Sequence, residues 1–195
     1  MIVDHETDED VIKKFGSKFL GTIWSPREDL ILFNYHVNIS PKTKKGRSDA
    51  DIDETTLHLI DKKDLTLRIV TSVVSSWYDN SGLVCPYTMK FKLLLQKTVP
   101  RSDDWDSSLP EDLQLEWKTN LAKVVCIGTF YFPRSCKPLD ATGPPELIGF
   151  HDGADPGHGG CVYLRYELEG EGDDHTSSLL IAKNKVGKDK NTPRD

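Results

Sequence analysis

Chemistry in this chain would turn on Asp152. It stands in ELIGFHDGADPGHGGCVYLRYE, residues 146–167, which reads as an apolar strand ending in an acidic residue, a Gly-rich turn and a second apolar strand. Asp beside Gly at a strand end is most often turn chemistry, so Asp152 needs partners before it can act. A second acidic pair, Asp103-Asp104, sits in RSDDWD; paired polymerase aspartates need a tight hairpin between apolar strands, whereas this pair lies in a polar loop and reads as structural. Cys126, Cys136, His151 and His158 are too unevenly spaced for a zinc finger. No Walker loop, dinucleotide fingerprint, nucleophile elbow or H-E-x-x-H occurs.

Cations cluster in two places: Lys42, Lys44, Lys45 and Arg47 in one loop, and Lys183, Lys185, Lys188, Lys190 and Arg194 in the tail. The ordinary reading of such runs is a solvated loop. The 195 residues carry a net charge of −6, which argues against a stand-alone nucleic-acid binder, because Lys and Arg supply most phosphate affinity. The four cysteines form no C-x-x-C pair and read as reduced thiols of an intracellular protein. The acidic N-terminus has no apolar stretch, so neither signal nor transit peptide is expected. The run 124–132, broken by Gly128, is too short to span a bilayer, and no membrane partner is expected.

The elements that must position these residues follow from periodicity. Residues 19–39 read as a β-hairpin turning at Ser25-Pro26, with Trp24 as a core anchor. Residues 40–56 read as a loop, basic and then acidic, whose acids cap the next helix. Asp64 is placed to N-cap a helix bearing Ile69, Val70, Val73, Val74 and Trp77. Pro86 opens a second helix with Met89, Leu93, Leu94 and Val99. Ser108 and Glu111 read as a capping box for a third, with Leu113, Trp117, Leu121 and Val124 on one face. Residues 127–132 read as a short strand or extended segment, and 133–145, rich in Pro and Gly, as a linker. Three strands, 147–152, 161–168 and 177–184, then form a meander with no helix to cover it, a domain cut short.

Five pieces in series resemble the Bel/Pao class of LTR retrotransposon polyproteins: FLGTIWSPREDLILF, VTSVVSSWYDNSGLVCPYTMKFKLLLQ, DDWDSSLPEDLQLEWKTNL, FPRSCKPLDATGPPELIGFHDGADPGHGGCVYLR, and LLIAKNKV with TPR. They cover most of residues 19–194. The resemblance implies an α+β fold. A polar segment, 1–18, precedes a β-hairpin and small helical unit, 19–132, similar to a reverse transcriptase thumb and connection. After the linker comes a truncated ribonuclease H-like three-stranded antiparallel β-meander, 146–195.

The same resemblance places Asp152 on the family's first metal-binding, catalytic aspartate and implies Mg²⁺, which such enzymes hold with several carboxylates. The family's glutamate is expected just after Thr192-Pro193-Arg194, so the site is expected to be incomplete here. The implied partners are an RNA–DNA hybrid or primer–template, gripped weakly through Lys42, Lys44, Lys45 and Arg47, and the rest of the retroelement polyprotein. The chain is expected in the cytoplasm or nucleus. Three readings follow: a catalytically incomplete fragment that once held hybrid, part of an active ribonuclease and transcriptase polyprotein, or a domesticated protein-interaction module.

Overall fold

The computed structural model describes residues 18–19, 22–34, 37–40, 49–127, 129–170 and 174–187. The basic loop residues Lys42, Lys44, Lys45 and Arg47 lie outside them, as do Lys188, Lys190 and Arg194. The chain divides into two compact units, the first of residues 1–78 and 94–132 and the second of 79–93 and 133–195. Among the described residues no helix is long and apolar enough to cross a membrane.

In the first unit, β1 (Lys18–Phe19), β2 (Thr22–Ser25), β3 (Leu30–Asn34) and β4 (Thr129–Pro133) form one sheet in that order. The expected hairpin is thus joined by the strand expected near 127–132, and Phe33 stacks on Phe132 with ring centroids 5.6 Å apart. Side chains alternate along a strand. The phase puts Ile23 and Ser25 inside and leaves Trp24 44% exposed. Trp24 is therefore not a core anchor; its indole N–H donates to Asp29 at the turn, 3.2 Å away.

Four helices follow: α1 (His58–Lys62), α2 (Leu67–Ser76), α3 (Cys85–Thr98) and α4 (Glu111–Val125). The short α1 was not expected. Asp53 caps the turn before it, accepting from the hydroxyls of Thr55 and Thr56 at 2.6 and 2.9 Å and from their backbone N–H groups. These bonds, the Thr55 hydroxyl foremost, hold its carboxyl down at a pKa of about 2. The N-cap of α2 is Thr66, whose hydroxyl accepts from Ile69 N–H, and not Asp64. Asp64 instead accepts from Ser108 and Gln114 at 2.5 and 2.6 Å. That spends Ser108 elsewhere, and with Pro110 at the N-cap position the expected capping box does not form.

The apolar stripe of α4 is buried as its spacing predicts: Leu113, Trp117 and Leu121 are wholly covered. Trp117 also donates its indole N–H to the Thr98 hydroxyl at 2.9 Å, so its one polar atom is satisfied. Burial of such a side chain contributes about 1.5–3 kcal/mol, a large share of a domain's net stability. Surface ion pairs, Arg68–Asp106 and Arg101–Asp112, are forked but exposed and add little each.

In the second unit, β5 (Glu146–Ala154), β6 (Gly157–Glu167) and β7 (His175–Val186) form an antiparallel meander in sequence order. The Gly-rich stretch is not a turn. Gly159 lies opposite Asp152 and Gly160 opposite His151, so strand pairing runs to a tight turn at Ala154–Gly157. A ladder uses backbone groups and does not need side chains. Nor is the sheet left without a helix: the first part of α3, up to Leu93, belongs to this unit. The presumed linker is pinned as well, with Thr142 N–H donating to Glu167 and Glu169 N–H to Asp140.

Two glycines permit close approaches. A side chain on Gly157 would meet Met89 of α3 and the Lys185 carbonyl. Gly82 has φ of +78° and lies against the Ala182 backbone, beside the bond from Ala182 N–H to the Ser81 carbonyl at 2.8 Å.

Gly82→Ala therefore meets both a left-handed backbone and a clash, and is expected to destabilise the chain by at least about 2 kcal/mol in urea unfolding; a change near zero would refute the close approach. For Asp53, the depressed folded pKa means its contribution to stability is present above the unfolded carboxylate value and is lost as pH falls through about 2. Replacing Thr55 and Thr56 by Ala should raise the Asp53 midpoint toward the ordinary carboxylate range in an NMR titration.

Candidate functional site

Directly opposed residues in a sheet share a face. Asp152 on β5 faces Gly159 on β6, which faces Asn184 on β7. Phe150, Cys161 and Ala182 form the next row, so all of these lie on one face of the meander. Two rows from Asp152, Ile148 opposes Tyr163; Phe150 and Tyr163 meet edge to face at 6.2 Å and 78°. Over this face lies a cavity of about 630 Å³, with Leu83, Pro86, Met89, Phe150, Asp152 and Tyr163 in its walls.

Asn184 is among the polar residues of the remaining walls. Asn184 donates to the Cys85 carbonyl at 2.6 Å and to the Thr88 hydroxyl at 3.3 Å, and accepts from Lys92 at 2.6 Å. This amide ties the start of α3 to β7. Nothing in the alternation of residues 177–184 singled it out. Asp79 prepares the same helix, its two carboxylate oxygens accepting from Leu83 and Val84 N–H. Burial pushes the Cys85 thiol pKa up, which makes Cys85 a packing residue more than a nucleophile.

Asp152 itself is exposed, and its Oδ1 accepts from the adjacent Gly153 N–H at 2.8 Å. Its cross-strand neighbours are a glycine and an already engaged amide. Mg²⁺ is a hard cation that needs several oxygen ligands. Among the described residues no group of three or more His, Cys, Asp or Glu side chains could hold a metal ion. The residues around Asp152 therefore do not fit the metal.

The other candidates also resolve. Asp104 accepts from Asp106 and Ser107 N–H and from the Ser107 hydroxyl, bonds that lower its pKa, with the Asp106 N–H first; it is a turn residue. Cys126 ends α4, its thiol directed at the Ala122 carbonyl. His151 and His158 lie on the sheet face opposite Asp152, by register. The basic loop, Lys42 to Arg47, lies outside the described residues, so the structure neither joins it to Asp152 nor separates it.

Millimolar Mg²⁺ is expected to shift the melting temperature of the chain and of Asp152→Asn equally, because a ligand stabilises only through a site that binds it. A Mg²⁺-dependent rise in the parent that Asp152→Asn abolishes would mean that oxygen ligands complete the site.

Neither the curated proteins nor the solved structures gave a match. The family model of the Pao retrotransposon-like RNaseH-like domain matches residues 66–194, from the N-cap of α2 through the meander. The match takes in helices α2 to α4 as well as the three strands that carry Asp152. With about two thirds of its length so matched, the chain belongs to the Pao retrotransposon-like RNaseH-like family, as a segment of a retroelement polyprotein.

Proposed function

We propose that this polyprotein segment holds an RNA–DNA hybrid by its backbone and does not cleave it on its own. The observation that carries the reading is Asp152: it lies on the first strand of the meander, beside an open cavity, with no second carboxylate across from it. Ribonuclease H-like enzymes commonly use Mg²⁺ held by several carboxylates, and site completeness rather than fold decides activity. Family membership supports the hybrid as partner, and the basic run at 42–47 supplies cations for phosphate contact. In this reading residues 19–132 derive from the thumb and connection of a reverse transcriptase. The exposed rim of Asp152 leaves room for ligands from elsewhere in the polyprotein, which is the route by which the segment would serve an active enzyme.

Binding of a fluorescent RNA–DNA hybrid at two salt concentrations tests the proposal. Affinity that falls steeply with salt is expected, along with preference for the hybrid over DNA duplex of equal length. A folded chain that ignores the hybrid would overturn the reading and favour a protein-interaction module.

A further inference from the structure

Lys183 and Lys185 do not belong to a basic tail; they are residues of β7. Lys183 lies opposite Gly160, which lies opposite His151, while Lys185 lies opposite His158, which lies opposite Gly153. All four side chains therefore stand on one face, the one opposite Asp152, in two adjacent rows. They are exposed, and none makes an ion pair among the described residues.

The spacing suits a repeating anion. Alternate residues of a strand are roughly 6.6 Å apart, and neighbouring strands about 4.8 Å. Gly153 and Gly160 sit in the same two rows and raise no side chain, and Gly149 beside them is open above the sheet. Two lysines and two imidazoles thus rim a low backbone surface. Charge is also segregated along the strands: Glu167, Glu169 and Asp174 cluster at the β6–β7 turn, the other end of the meander. Toward that end the face becomes apolar with Leu147, Val162 and Ile181, which confines the cationic surface to one corner. At this end Asp152 belongs to the other face, and Asp155 to the turn.

We infer that His151, His158, Lys183 and Lys185 form a sequence-independent contact surface for the phosphate backbone of a nucleic acid. This deepens, and rests on, the reading of the segment as one that holds an RNA–DNA hybrid, because it assigns a grip to residues of the meander in addition to those of the basic loop. A protein that neutralises phosphates releases counterions, so each contact contributes about 0.7–0.9 to the slope of log affinity against log salt.

The test uses the full chain, fluorescence anisotropy, and three probes of equal length: RNA–DNA hybrid, single-stranded RNA and duplex DNA. Lys183→Glu/Lys185→Glu is compared with Lys90→Glu/Lys137→Glu, which changes net charge equally at exposed positions away from this face; circular dichroism checks folding. Lys183→Gln/Lys185→Gln is the milder variant should the reversal unfold the chain. The face variant is expected to bind every probe on the order of tenfold more weakly, with a salt slope smaller by about 1.5, and the control to keep its slope. Equal losses in both double variants, or an unchanged slope in the face variant, would overturn the inference while leaving hybrid binding intact. Loss at the face without preference for the hybrid would uphold the surface and overturn the proposed function. Binding of none of the probes would overturn both.

Discussion

The hydrogen bond from Ala182 N–H to the Ser81 carbonyl is the contact on which the Asp152 face depends. It satisfies an outer backbone donor of β7, an edge strand that would otherwise present unpaired groups. It also requires Gly82 at a positive φ against the Ala182 backbone. From that point Asp79 caps the turn, Asn184 takes hold of Cys85 and Thr88, and Met89 settles on Gly157. The meander thereby gains a helix over one face, and the cavity beside Asp152 is the space left between them.

The two faces of that sheet differ because strand register is strict. A shift of one residue would exchange Asp152 with His151 and bring carboxylate and cations to the same side. As built, Asp152 stands on one face of the sheet and His151, His158, Lys183 and Lys185 on the other. The bulge on β7, where Ile181 opposes Val162 but Leu179 opposes Tyr163, adds Leu180 between them. It lets both halves of a long strand keep their inward residues.

Much of this was legible in the sequence where a period repeats. The α4 stripe of Leu113, Trp117 and Leu121 was readable because a 3.6-residue period leaves one choice of buried face. Trp24 was misread because a short strand offers two phases, and size favoured the wrong one. The Gly-rich stretch was misread because glycine suggests turns, while the ladder at Gly159 and Gly160 needs only backbone. Asp152 could be picked out on a strand, but its lack of partners depends on which residues oppose it across the sheet. The helix over the meander was invisible for the same reason: Ser81 and Ala182 are far apart in the chain, and neither carries a local signal of the other. The capping box failed because Ser108 found Asp64 instead.

Membership of a ribonuclease H-like family and a lone Asp152 pull in opposite directions on catalysis, and one measurement separates them. The purified, demonstrably folded chain is incubated with an RNA–DNA hybrid and Mg²⁺ beside Asp152→Asn. The hybrid is expected to stay intact with both proteins, because one carboxylate does not hold the ions that cleavage needs. Cleavage by the parent that disappears in Asp152→Asn would contradict this and show that further carboxylates complete the site.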